Sequence, residues 1–171
     1  MPESISGDKM KNILLGLIVT LFFLGCTKDN HAAVEPKAAV GNSLETLTLN
    51  DQFGKPHSLT ADTKKVIFAF SKDMGHMSNA YFEKLAPEYL NEHQAVFIAD
   101  VSGAPSLIRS MFIMPGLKDF KHTVLVIEDE NVAASYRIDE NSDKLMILDL
   151  DNYIIKKISY ASTEDELAKT F

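Results

Sequence analysis

The sequence predicts an α/β layered fold, because strand patterns alternate with helical patterns and the chain closes on a hairpin and a helix. Residues 66–70 and 95–99 are continuous short apolar runs, the form taken by strands covered on both faces. Between the strands, apolar residues recur at three- and four-residue spacing, which is the signature of an amphipathic helix.

In chain order, residues 44–49 alternate, with Leu44, Leu47 and Leu49 apolar, and residues 50–54 read as a turn. The run 66–70 is a central strand. Ser78 is the expected cap of a helix whose broad face carries Tyr81, Phe82, Leu85, Tyr89 and Leu90, with Pro87 bending it. Residues 95–99 form a second buried strand. Pro105 opens a second helix with Leu107, Ile108, Met111 and Phe112 inward, and Pro115-Gly116 ends it. Residues 122–127 form a third strand, and the segment 131–136 follows. Residues 145–150 and 153–158 make a hairpin around Asp151-Asn152. Ser162-Thr163-Glu164-Asp165 starts a last short helix with acids in its first turn.

The N-terminal 25 residues have a different character. Met10-Lys11-Asn12 is a short basic start, residues 13–24 are almost unbroken apolar, and Gly25-Cys26 precedes a polar stretch. That order is a secretory signal, and the run is shorter than the ~20 residues a membrane span needs. Glu3 and Asp8 suit such a basic region badly, so Met10 is the expected start. Cys26 after Leu24-Gly25 resembles the lipobox of bacterial lipoproteins, with Phe23 where leucine is usual and Leu24 where a small residue is usual. The resemblance implies cleavage before Cys26 and acylation of its thiol and new amine. Thr27 stands where an aspartate would favour inner-membrane retention, so the implied address is the outer membrane, on its periplasmic side.

Residues 26–41 lack periodicity and read as a lipidated tether, leaving one domain over 42–171. Lys9 and Lys11 cancel Glu3 and Asp8, so the mature chain keeps the whole formal charge of −7. An acidic chain argues against a nucleic-acid partner, which needs clustered Lys and Arg, and against electrostatic adsorption to anionic lipid. The membrane contact would come through the acyl chains. With one cysteine no intramolecular disulfide forms, so a packed core must hold the domain; 46% hydrophobic residues suffice for one.

Several segments of the domain resemble thioredoxin-like proteins of the peroxiredoxin and cytochrome-maturation branch. Residues 47–59, with Asp51-Gln52-Phe53-Gly54-Lys55, are similar to that branch's entry turn. The run 66–71 followed by 78–90 is similar to its strand, active loop and helix. Residues 124–136 and the hairpin at 146–155, with Asn152 where glycine is usual, complete the likeness. The small periplasmic YtfJ-type proteins are a group it is similar to. The resemblance implies a central mixed β-sheet flanked by helices, closing with a β-hairpin and a C-terminal helix.

Redox members carry Cys-x-x-Cys, or one peroxidatic cysteine, between the first core strand and its helix, where a helix N-terminus lowers the thiol pKa. Here that loop reads Ser71-Lys72-Asp73-Met74-Gly75-His76-Met77-Ser78, with Met74 and Met77 at the cysteine spacing. A thioether has no ionisable proton and forms no exchangeable disulfide. The family's facing cis-proline would fall near Asp143, and no proline is there. The resemblance therefore implies no thiol enzyme and no cofactor. It implies a groove for an envelope protein or peptide, lined by Lys72, Asp73, Met74, His76, Met77 and Asp143. The alternative is metal (copper) handling or a redox accessory role, since Met74, His76 and Met77 offer soft ligands for Cu(I), with Met111, Met114 and His122 elsewhere. The plainer reading makes Met74 and Met77 space fillers and Met111 and Met114 core. Asp73 and His76 are three apart but have no matching nucleophile, and Ser71 and Ser78 read as loop and cap residues. The acids at 128–130 and 139–140 read as solvated turns.

Overall fold

Val66, Ile67, Phe68 and Ala69 are all buried, which requires a packed layer on each side of their strand. A computed structural model describes residues 36–171 and supplies both layers. The signal segment, Cys26 and the tether up to residue 35 lie outside the described residues.

The strands are β1 (Thr48–Asp51), β2 (Pro56–Ser58), β3 (Lys65–Ala69), β4 (Ala95–Asp100), β5 (Leu125–Ile127), β6 (Leu145–Asp151) and β7 (Ile154–Ala161). They form one mixed sheet in the order β2-β1-β5-β4-β3-β6-β7. Strands β3, β4 and β5 are parallel, with Ile67 opposite Phe97 and Ile98 opposite Leu125; the outer pairings are antiparallel. Alternate residues feed opposite faces. Val66, Phe68, Ile98, Met146 and Leu148 join Leu44, Leu47, Ala133 and Tyr136 on one side. Ile67, Phe97, Val126 and Ile147 meet Phe82, Leu90, Leu117 and Leu167 on the other.

The helices are α1 (Lys72–Glu83), α2 (Tyr89–Glu92), α3 (residues 106–117), α4 (Glu130–Tyr136) and α5 (Glu164–Ala168). Helix α4 covers the first face and the other four lie with the second cluster. The expected α/β architecture is therefore present. Several local expectations are corrected. Strand β1 starts at Thr48, because Leu44 and Leu47 are buried from a turn rather than from a strand. Helix α1 starts at Lys72, six residues before the expected cap, and Ser78 lies buried in its interior. Residues 36–41, placed in the tether by sequence, are attached to the domain. The Lys37 N–H donates to the Ser135 carbonyl (2.7 Å), Ala38 is buried, and the Gly41 N–H donates to the Ile155 carbonyl (2.8 Å). The described residues, 36–171, make one compact unit with both core layers inside it.

Helix α3 departs furthest. Its middle, Arg109–Ile113, is π-helical, and the Met114 N–H donates to the Arg109 carbonyl. Pro115 explains the wide turn: it has no N–H to donate, and its ring would crowd the Met111 carbonyl in a regular α-helix. The helix runs on through Pro115-Gly116 to Leu117. Leu107, Ile108, Met111 and Phe112, expected inside, are 43–65% exposed. Ile113, Met114 and Leu117 face the core instead.

The β6–β7 turn places Asn152 and Tyr153 at positive φ (47° and 68°), the backbone that a tight hairpin with native strand twist demands. Asparagine tolerates this region better than most residues. Asn152→Ala is expected to destabilise the domain by about 1 kcal/mol, read as a lower urea midpoint at constant m-value. No change in midpoint would show that the turn does not constrain the hairpin.

Candidate functional site

The sheet order points to one end of the molecule. From β3 the chain moves to β4 on one side, and the neighbour on the other side, β6, is reached only after β5. In open parallel sheets such a switch point is where ligands meet the carboxyl ends of the strands. Here the neighbour β6 runs antiparallel, so the switch point only singles out this end of the sheet. Ala69 at the end of β3 pairs with Leu145 at the start of β6. The segments 70–74 and 142–144 therefore share that end of the sheet on adjacent strands.

Helix α1 begins there. Ser71 is extended (φ −121°, ψ 155°), and its hydroxyl accepts a hydrogen bond from the Met74 N–H at 3.3 Å. This is an N-cap, and Asp73 in the first turn adds favourable charge at the helix's positive end. A thiolate stabilised by this terminus would have to sit at the cap or in the first turn. By that criterion Ser71 to Met74 lie within reach of the helix terminus, and Met77 lies one turn further inside the helix.

The sequence-predicted residues divide between two sides of α1. Met74 and Met77 are partly buried and pack against the second core cluster. Lys72, Asp73 and His76 are exposed. At about 100° per residue, His76 points some 160° away from Met74, so the three soft ligands do not converge. Asp143 is exposed at the same end of the sheet, in the turn leading to β6. Met111 is exposed and Met114 packs on the core, in another part of the fold.

Beneath α1 lies a polar network that sequence reasoning missed. Gln52, 2% exposed, donates from Nε2 to the His122 carbonyl (2.9 Å) and accepts the Val124 N–H at Oε1 (2.9 Å). His122 Nε2 meets Asn79 Oδ1 on α1 at 3.0 Å. His122 Nδ1 has no hydrogen-bond partner and lies 3.7 Å from Glu83 Oε1, which accepts the Lys121 N–H. The buried Ser78 hydroxyl is also without a partner. The only hint in the sequence is polar residues standing at inward positions of apolar segments.

Burial pushes the His122 imidazolium below its usual pKa, and the nearby Glu83 carboxylate opposes this only in part. The unfolded chain takes up this proton near pH 6.5 while the folded chain does not. The His122 contribution is therefore full above pH 6.5 and lost as pH falls from there through the folded value. The urea midpoint is expected to fall between pH 7 and pH 5, and His122→Gln should remove part of that slope. Equal slopes in both proteins would eliminate His122 as its source.

The acidic residues near the carboxyl ends of β4 and β5 are tied into the scaffold. Asp129 caps α4 by accepting the Asn131 N–H (2.7 Å). Arg137 donates to Glu130 at 2.6 Å, which holds that carboxyl below its ordinary range and raises the guanidinium. Ser102 bridges Asp100 and Glu130. At the entry hairpin, burial disfavours the charge of Asp51. Hydrogen bonds from the Lys55 N–H, His57 and the Phe53 N–H outweigh that and lower its pKa. Two open grooves lie elsewhere, about 390 Å³ beside Ser106, Arg109, Met114 and Glu128 and about 330 Å³ between β1 and β5.

No family model and no curated protein matches this sequence. Solved structures do. The chain is similar to peroxidoxin BcpB from Mycobacterium tuberculosis, with a TM-score of 0.50 and 18% identity over 78% of this chain and 93% of that one. It is also similar to a cysteine-to-serine mutant of PrxQ from Xylella fastidiosa, with a TM-score of 0.50 and 8% identity over 78% and 94% of the two chains. At these identities the likeness concerns the fold. Together with the mixed seven-stranded sheet and its flanking helices, it shows that this chain has the thioredoxin-like fold.

Proposed function

We propose that this protein is a lipid-anchored periplasmic thioredoxin-like module that binds an envelope protein or peptide and performs no thiol chemistry. The observation that carries the reading is the start of α1. The position best suited to activate a thiol holds Ser71 as a helix cap, and the chain's one cysteine is Cys26 at the lipobox. Serine keeps the cap and does not ionise, so the helix terminus serves as scaffold rather than as nucleophile. Lys72, Asp73 and His76 then present mixed polarity to solvent, with Asp143 exposed at the same end of the sheet, a surface suited to a polar or extended peptide.

The test uses the exposed side chains, because Met74 and Met77 support the core and their replacement would mix binding with stability. Lys72→Glu/His76→Asp should leave the thermal midpoint unchanged and abolish a specific partner in affinity capture from solubilised envelopes. An unchanged partner list would move the contact away from α1. Cys26→Ser is expected to release the chain from the membrane fraction, and continued attachment would argue against acylation there.

A further inference from the structure

Helix α3 is apolar nearly all the way round, yet only one side of it is covered. Ile113, Met114 and Leu117 pack on the core, while Leu107 (64%), Met111 (58%), Phe112 (65%) and Ile108 (43%) are exposed. From Gly103 to Gly116 the exposed residues carry no charge. The single ion in the stretch, Arg109, is turned back. Its guanidinium donates to the Glu128 carbonyl (3.2 Å) and pairs with the Glu128 carboxylate (3.5 Å), leaving 18% of its side chain exposed. A helix apolar all round is normally buried, and a contiguous apolar surface without charge marks a docking face.

We infer that α3 is a membrane-docking element that seats Leu107, Ile108, Met111 and Phe112 in the headgroup–acyl boundary of the bilayer carrying the anchor. The inference rests on the lipid-anchored reading for its leash. Nine residues lie between Cys26 and Pro36, where attachment to the domain begins, and the ten steps from one to the other span at most about 36 Å when fully extended. The leash joins on the α4 side of the sheet and α3 lies on the other. A span of about 36 Å matches the width of a domain of this size, so the leash keeps the domain at the lipid surface and is just long enough for the α3 face to reach it. Such confinement raises the effective concentration of lipid around a weakly binding face. A second copy is the less favoured occupant, since each mature chain carries a formal charge of −7. Basic amphipathic helices bind through anionic headgroups, whereas this face has no exposed Lys or Arg from Gly103 to Gly116. The contact is therefore apolar, insensitive to salt and independent of anionic lipid.

The chain from Cys26 to Phe171 is coupled through its one thiol to a maleimide lipid in phosphatidylcholine vesicles, which supplies the leash whether or not cells acylate Cys26. Met111 oxidation by hydroxyl radicals is then followed by mass spectrometry. Oxidation is expected to slow at least fivefold on coupling, equally at low and high salt, and to return to the uncoupled rate in Leu107→Asp/Phe112→Asp. Both replaced side chains are exposed, so that variant should keep its thermal midpoint. Equal oxidation with and without vesicles overturns the inference. Protection of uncoupled chain that sediments as a dimer also overturns it, in favour of a second copy. Finding no acyl group on native Cys26 would overturn the anchor reading while leaving the vesicle result to stand on its own.

Discussion

Replacing Gln52 with leucine is expected to destabilise the domain by about 2–5 kcal/mol, because it strands two buried backbone groups at once. Leucine fills a similar volume, so the loss is one of hydrogen bonding rather than of packing. The His122 carbonyl and the Val124 N–H each rely on the Gln52 amide at 2.9 Å, in a site where Gln52 itself is 2% exposed. The Gln52 N–H also donates to the Val124 carbonyl (3.0 Å), so the side chain reinforces the junction of β1 with the strand leading into β5. Urea unfolding at pH 7 reads the effect as a lower midpoint at unchanged m-value. A loss below 1 kcal/mol would mean that the backbone groups find other partners after the substitution.

The second large effect concerns Ser71. In residues 36–171, which lack Cys26, Ser71→Cys/Met74→Cys should give a thiol at the head of a 12-residue helix, alkylated at pH 7 about tenfold faster than an unperturbed thiol. The comparison protein is Met74→Cys/Met77→Cys, whose second thiol lies a full turn inside the helix. If the thiolate is made by the helix terminus, the first pair is the more reactive and oxidises to a reversible disulfide. Greater reactivity of the second pair would favour Met74 and Met77 as the positions that the helix terminus serves.

The architecture was legible because both faces of the central strands are covered, which leaves continuous apolar runs in the sequence at 66–69 and 95–99. Its closing hairpin was legible from Asp151-Asn152 between two apolar segments. The beginning of α1 was not, for a physical reason. Gly75 and the polar run Ser71-Lys72-Asp73 mimic a loop, and glycine costs a helix interior about 1 kcal/mol relative to alanine. The Ser71 cap with an acid in the first turn was the competing signal, and in the fold it prevails. Helix α3 misled in the opposite way. Two apolar faces compete around one helix, and the π turn before Pro115 fits the face of Ile113, Met114 and Leu117 to the core. The His122–Asn79–Gln52 network was invisible because its members are far apart in sequence and converge only through the sheet.

The place of β1 in the sheet also bears on how the chain folds. Strand β1 forms a short hairpin with β2, yet its other neighbour is β5, and the Gln52–Val124 contact bridges 72 positions in sequence. Closing that gap with β3, β4 and their helices still unfolded would cost the loop entropy of the whole intervening segment. Non-local closure of this kind raises contact order and slows folding, since loop entropy is lost before the pairing rewards it. Late docking of the N-terminal hairpin is the expected outcome, and it would be read as Gln52 substitutions that speed unfolding far more than they slow folding.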